Sequence, residues 1–213
     1  MVNLPKLQYI SDGYTWEEQW NNISTALDAG VQWIQLRWKN AEYQQIYQLA
    51  ERVKHLCEQY NAILIINDYP EIAQQINATG VHLGLKDMPI LQAKKLLHPN
   101  QWIGGTANTL NDVLQRIQEQ VTYIGLGPLR FTTTKKNLSP VLGFEGFKKI
   151  ISTLPLSYPP IYAIGGITEK DIPSLLETGV YGIAISSAIN KAVNKSTYIQ
   201  QLNQLLYETI KNC

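Results

Sequence analysis

The stretch PIYAIGGITEKDIPSLLETGVYGIAISS, residues 160–187, carries the pattern that decides the fold. Its first part, PIYAIGG (160–166), is a short apolar run closed by two glycines and predicts a buried strand. Thr168 then stands where a helix cap is wanted, and Ile172, Leu175 and Leu176 fall on one helical face. The last part, GIAISS (182–187), is a second apolar run, closed by two serines. Strand, amphipathic helix and strand in this order make one unit of a parallel sheet, because parallel neighbours need a crossover of about this length.

The same unit recurs upstream. LQYIS (7–11) predicts a strand, Thr15 and Glu18 form a capping box, and Trp16, Trp20, Ile23 and Leu27 share a helix face that Gly30 terminates. VQWIQLR (31–37) precedes a helix marked by Ile46, Leu49, Val53, Leu56 and Tyr60. AILIIND (62–68) is followed by PEIAQQI, GVHLG (80–84) by ILQAKKLL, and WIGGTA (102–107) by a helical pattern over 109–119. YIGLGP (123–128) leads into a long loop and then a helix from about Phe144, and 196–211 makes the last helix. Eight such units predict an α/β fold, a (β/α)8 TIM barrel of eight parallel strands, with 1–213 as one domain. A doubly wound open sheet shares the alternation; the count of eight at this length favours closure. Trp16, Trp20 and Trp33 read as packing residues, and Cys57 as buried.

The bulk numbers remove several function classes. The 213 residues are 45% hydrophobic, enough for a sizeable core, and the formal charge is +1, so no overall field points to nucleic acid or a membrane surface. Two cysteines, Cys57 and Cys213, make no disulfide framework and point to a reducing, cytoplasmic setting. The start, MVNLPKLQYISDG, lacks a basic segment followed by an apolar core, so no signal peptide is expected. No apolar run approaches the ~20 residues that span a bilayer.

In a barrel of this kind the active site lies at the C-terminal ends of the strands. The second strand ends in Gln35, Arg37 and Lys39, which alternation places on one face. The third ends in Asn67 and Asp68; Asp87 follows the fourth, which contains His82; the fifth ends near Thr106 and Asn108. The sixth feeds the loop GLGPLRFTTTKKNLSPVLG (125–143), with Thr132, Thr134 and Lys135. The seventh closes with Gly165 and Gly166, the eighth with Ser186 and Ser187. Each has a plain structural reading: an Arg37–Asp68 ion pair, a helix cap at Asp87, a satisfied core histidine, a tight glycine turn, a solvated loop. Their gathering on one rim favours a large anionic ligand. Asp68 and Asp87 do not bind phosphate themselves, but Mg²⁺ between them and a diphosphate reconciles carboxylates with the nearby cations.

Taken together, QLRWK, IINDYPEIA, GVHLGLKDMP, IGLGPLRFTTTKK, AIGGI and GIAISSAI resemble, in order and over nearly the whole chain, the motifs of the thiamine-phosphate synthase and thiazole tautomerase family. The resemblance implies a transferase of thiamine biosynthesis. It would join a hydroxymethylpyrimidine diphosphate to a thiazole phosphate, or its carboxylated form, with Mg²⁺ as cofactor. It implies that Asp68 and Asp87 hold the metal, and that Arg37, Lys39, Asn67 and Lys135 surround the diphosphate. Gln35 would lie near the pyrimidine, and Thr106 stands where the family has a serine important to catalysis. Thr132 and Thr134 match hydroxyls that contact the thiazole phosphate, and Gly166, Ser186 and Ser187 match its backbone cradle. Loop closure over 130–142 would exclude water. The implied partners are these small molecules, without nucleic acid or membrane, and a homodimer is among the assemblies the family allows. Leu85, Lys86, Phe131 and Thr106 depart from the family pattern, yet remove no charge that the chemistry needs.

Three other readings fit parts of the pattern. The tautomerase branch shares the fold, but it carries a histidine after the fifth strand, where this chain has Asn108. A non-catalytic binder would have no need for two metal carboxylates and Lys135. An aldolase-type barrel would want a Schiff-base lysine inside a strand, whereas Lys39 and Lys135 lie beyond strand ends.

Overall fold

The structure is a computed structural model and describes residues 4–131 and 140–208. Among these, strands and helices alternate. β1 (Leu7–Ile10), β2 (Trp33–Leu36), β3 (Ile63–Asn67) and β4 (Gly80–Leu83) are followed by α1 (Trp16–Asp28), α2 (Tyr43–Gln59), α3 (Pro70–Gln75) and α4 (Ile90–Leu96). β5 (Trp102–Ala107), β6 (Tyr123–Leu126), β7 (Ile161–Ile164) and β8 (Gly182–Ile185) are followed by α5 (Leu110–Gln118), α6 (Gly143–Ile151), α7 (Ile172–Glu177) and α8 (Ser187–Lys191), and α9 (Lys195–Glu208) ends the described chain. Each strand pairs in parallel with the next. β1 also pairs with β8, Tyr9 opposite Ile185, and the ring closes. Closure decides for the barrel over the open sheet.

Alternation along the strands divides the apolar residues between two cores. Ile34, Leu36, Leu64, Ile66, Val81 and Leu83 point outward and pack under the helices, with Ile23, Leu49, Val53 and Phe147. Trp33, Ile65, Tyr123 and Tyr162 point inward and fill the lower barrel with Leu4. Trp33 sits edge-on to Tyr123 and Tyr162, with ring centroids 4.9 and 5.0 Å away, a favoured aromatic geometry. Small residues make this filling possible. A Cβ on Gly104 would run into the Tyr123 ring, and one on Gly182 into Tyr162 and the Lys6 backbone. The first glycine of WIGGTA, Gly104, is therefore space for a neighbour's aromatic ring.

Caps fix the helix starts as the sequence predicts. Thr15 accepts from the Glu18 amide and Glu18 from the Thr15 amide, at 3.2 and 3.3 Å. Thr168 and Asp171 form the same box at a short 3₁₀ turn, Glu169–Asp171, that enters α7. Gly30, with φ 94°, follows the end of α1. Some expectations shift. Tyr60 is the C-cap of α2 and largely exposed, and the buried face runs through Ala50 and Cys57 instead. α8 was not expected; at this length it leaves no periodic signal. The strands end earlier than the apolar runs suggest, because the chain turns outward towards its next helix once its amides leave the ladder. No helix among the described residues is long and apolar enough to cross a membrane.

Candidate active site

A cavity of about 470 Å³ opens where the strands end. Gln8, Gln35, Asn67, His82 and Thr106, inward residues of five successive strands, form its lower wall; Arg37, Asp68, Asp87, Leu85 and Lys86 stand higher. The sequence reading therefore brings Gln35, Arg37, Asn67, Asp68, Asp87 and Thr106 to one place. Lys39 is exposed and outside the lining, because β2 stops at Leu36 and the chain turns at Asn40, φ 61°. Gly166, Ser186 and Ser187 lie beyond β7 and β8 on the same rim, also outside the lining. Thr132, Thr134 and Lys135 lie outside the described residues, as does most of the loop expected to close.

Charge in the cavity is organised around Arg37. Burial pushes its guanidinium below the usual arginine range, while Asp68, Asp12 and Asp87 pull it back up. The carboxylates outnumber the half-buried guanidinium they face, and a bound cation would balance their surplus charge. Asp12, just past β1, was missed in the sequence, where only the ends of the second to eighth strands were read. Asp68 takes a left-handed backbone, φ 69°, at the end of β3. Aspartate tolerates that conformation better than most residues, and such outliers gather at functional sites. Asp87 does not cap α4, whose N-cap is Pro89 without a side-chain bond. Its Oδ2 accepts instead from the Gly84 amide at 2.6 Å, which holds the carboxylate over the cavity.

The floor is one hydrogen-bonded chain. Gln35 Nε2 donates to Asn67 Oδ1 at 2.7 Å, and Gln8 Nε2 donates to Gln35 Oε1 at 3.0 Å and to the Tyr123 hydroxyl at 3.3 Å. That hydroxyl lies 3.1 Å from His82 Nδ1, and His82 Nε2 lies 3.0 Å from Thr106 Oγ1. His82 is thus a satisfied core histidine and a cavity residue at once. Thr106 is also held from behind: its carbonyl accepts from Arg116 Nε at 3.1 Å, and Gly105 leaves space for that arginine. Asn108 Nδ2 donates to the Gly127 carbonyl at 2.5 Å, so its amide tethers the turn after β6 and is no base.

The turn after β7 takes a left-handed backbone at both of its glycines. Gly165 and Gly166 have φ of 96° and 69°, and a Cβ on Gly165 would lie 2.5 Å from Pro128. Arg130, which sequence reasoning passed over, forks onto Asp171 at 2.6 and 2.7 Å and donates to the Gly166 carbonyl at 2.8 Å. The buried Oγ of Ser186 has no hydrogen-bond partner among the described residues.

The family model described as thiamine monophosphate synthase matches residues 7–189. The chain belongs to the thiamine monophosphate synthase family. It is 51% identical to the thiamine-phosphate synthase of Flavobacterium johnsoniae over 96% of this chain and 98% of that protein. To the thiamine-phosphate synthase of Bacteroides thetaiotaomicron it is 48% identical, over 90% of this chain and 91% of the relative. The solved thiamine phosphate pyrophosphorylase of Pyrococcus furiosus superposes with a TM-score of 0.82 at 32% identity, covering 97% of each chain. The thiamine monophosphate synthase family thus accounts for the barrel as a whole, rather than for an isolated motif.

Proposed function

We propose that the chain is a thiamine-phosphate synthase, a transferase that joins 4-amino-2-methyl-5-hydroxymethylpyrimidine diphosphate to 4-methyl-5-(2-hydroxyethyl)thiazole phosphate or its carboxylated form. The products are thiamine phosphate and diphosphate, and the 213 residues act as one barrel domain. The observation that carries this reading is 51% identity over nearly the full length to a protein of that name, joined to a cavity that pairs a half-buried arginine with two carboxylates.

The bond between the pyrimidine CH₂ and the diphosphate oxygen breaks, its electron pair leaving with the diphosphate. The aminopyrimidine ring donates electron density to the CH₂ carbon, and the thiazole nitrogen then forms the new C–N bond. No side chain need remove a proton; the demands are stabilisation of the leaving group and exclusion of water. Arg37 would face the leaving charge, and Lys39 and Lys135 are the further cations this reading assigns to it. Thr106 and Asn67 would offer hydrogen bonds from the floor, and Gln35 would lie near the pyrimidine. Thr132 and Thr134, with Gly166, Ser186 and Ser187, would hold the thiazole phosphate; the Ser186 hydroxyl, without a hydrogen-bond partner among the described residues, would donate to it.

Asp68 and Asp87 fit Mg²⁺. Both carboxylates line the same cavity. Among the described residues no group of three or more histidine, cysteine or acidic side chains is placed to hold a metal alone. The two carboxylates in one cavity suit an ion that binds through one or two carboxylates and completes its shell with water and phosphate oxygens. When bound, it would supply charge neutralisation on the diphosphate.

The test is thiochrome fluorescence of thiamine phosphate from both substrates and Mg²⁺, with Asp68→Ala and Lys135→Ala beside the wild type. Product from wild type, reduced ~10²–10³-fold in the variants, is expected. No product from folded wild type with Mg²⁺ present would refute the reading.

A further inference from the structure

The floor chain has a direction, and its direction decides what the cavity offers a ligand. Six side chains from non-adjacent positions of the sequence form this chain, which runs from Asn67 to Thr106 through Gln35, Gln8, Tyr123 and His82. The Tyr123 hydroxyl carries one proton and accepts from Gln8 Nε2. Its proton then goes to His82 Nδ1. The bare Nδ1 puts the ring proton on Nε2, which donates to Thr106 Oγ1. The Thr106 proton is left to point into the cavity. At the other end, Asn67 Oδ1 is occupied by Gln35, so the Asn67 NH₂ faces the cavity. Both ends of the chain are donors. With every amide reversed, the ends would be a carbonyl and a hydroxyl whose proton is spent on His82, both wrong for an anion beside Arg37.

We infer that Tyr123 and His82 are positioning residues that fix the Thr106 hydroxyl as a hydrogen-bond donor to the bound pyrimidine diphosphate. Tyr123 never touches the substrate: it lies in the aromatic layer below the floor, fully buried, where Gly104 makes room for its ring. Gly125 does the same for His82, whose Cε1 would stand 3.2 Å from a Cβ there. Burial holds the Tyr123 phenol far above its ordinary pKa, so it keeps the proton this arrangement needs. An apolar filler of the same shape would pack the barrel equally well; the hydroxyl is there for the relay.

The substrate assignment rests on the proposed function, but the relay can be read without it. The chain has three histidines, and His55 and His98 are exposed. Ring ¹⁵N spectra of the wild-type protein therefore isolate His82, assigned by its loss in His82→Gln. A neutral ring protonated at Nε2 is expected; a ring protonated at Nδ1, alone or together with Nε2, overturns the inference whether or not the protein makes thiamine phosphate. In turnover, Tyr123→Phe should lower kcat ~10-fold, the weight of one oriented hydrogen bond, with KM for the thiazole phosphate unchanged. Combined with Thr106→Ala it should cost nothing beyond Thr106→Ala alone, because the relay acts only through that hydroxyl. Losses that multiply independently in the double variant would make Tyr123 a packing residue and overturn the proposal.

Discussion

At Asp68 a single residue joins backbone strain to charge. The left-handed conformation at the end of β3 turns the chain out of the barrel while leaving the carboxylate at the cavity mouth. Asparagine tolerates the same backbone and nearly the same volume. Asp68→Asn should therefore leave the thermal midpoint unchanged or slightly higher, while kcat/KM falls ~10²–10³-fold. Activity within two-fold of wild type would remove Asp68 from the site. This residue was legible in the sequence because IIND ends an apolar run in a carboxylate, as were Arg37, Asn67 and Asp87 by the same logic. Gln8 and Tyr123 were not. A glutamine or tyrosine inside an apolar strand reads as filler, and its partners come from strands far apart in the chain, whose register no local period encodes. Lys39 lies outside the cavity lining for the opposite reason: it stands past the point where β2 leaves the sheet, and strand alternation no longer sets its direction.

Among the elements, the turn after β6 and the turn before α7 are locked together by Arg130 and Asp171. Burial alone would raise the Asp171 carboxyl. Its bonds from Arg130 and from the Thr168 amide and hydroxyl outweigh that and hold it below the ordinary carboxylate range. A depressed carboxylate stabilises the fold above the unfolded-state value, about 3.9, and the contribution is lost as pH falls through the lower folded value. The Tm gap between wild type and Asp171→Asn should accordingly be widest near neutral pH and shrink below about pH 4. A gap that is constant from pH 7 to pH 3 would deny the ion pair its role. Because the same arginine holds the Gly166 carbonyl, Arg130→Ala should raise KM for the thiazole phosphate about ten-fold with a smaller change in kcat, measured by steady-state thiochrome assays. The helices around these turns were readable from caps and apolar spacing. The lock was not, since Arg130 sits inside a basic loop where one more cation carries no signal. On α2, burial pushes the Cys57 thiol up to about 12, so it should resist thiol reagents at pH 8 until the protein unfolds.

For the molecule as a whole, the division into two cores explains why the barrel was visible from sequence. Outward strand residues must match helix faces, so the outer core repeats with the β-α period, and that period could be counted. The inner core obeys no such repeat. It is a packing of Trp33, Tyr123 and Tyr162 against positions that have no side chain at all, and only the closed ring reveals which glycine serves which aromatic. Gly104→Ala is the whole-molecule test. The added methyl would push the Tyr123 ring, costing ~1–3 kcal/mol by overpacking and lowering the thermal midpoint by several degrees. A midpoint equal to wild type would mean that the inner layer is loosely filled.

The aromatic layer also makes the barrel a cup with a single mouth. Trp33, Tyr123 and Tyr162 stop the lower end, and each is fully buried. Two reactants stacked in such a cup would pass its mouth in a fixed order, the one nearer the floor entering first.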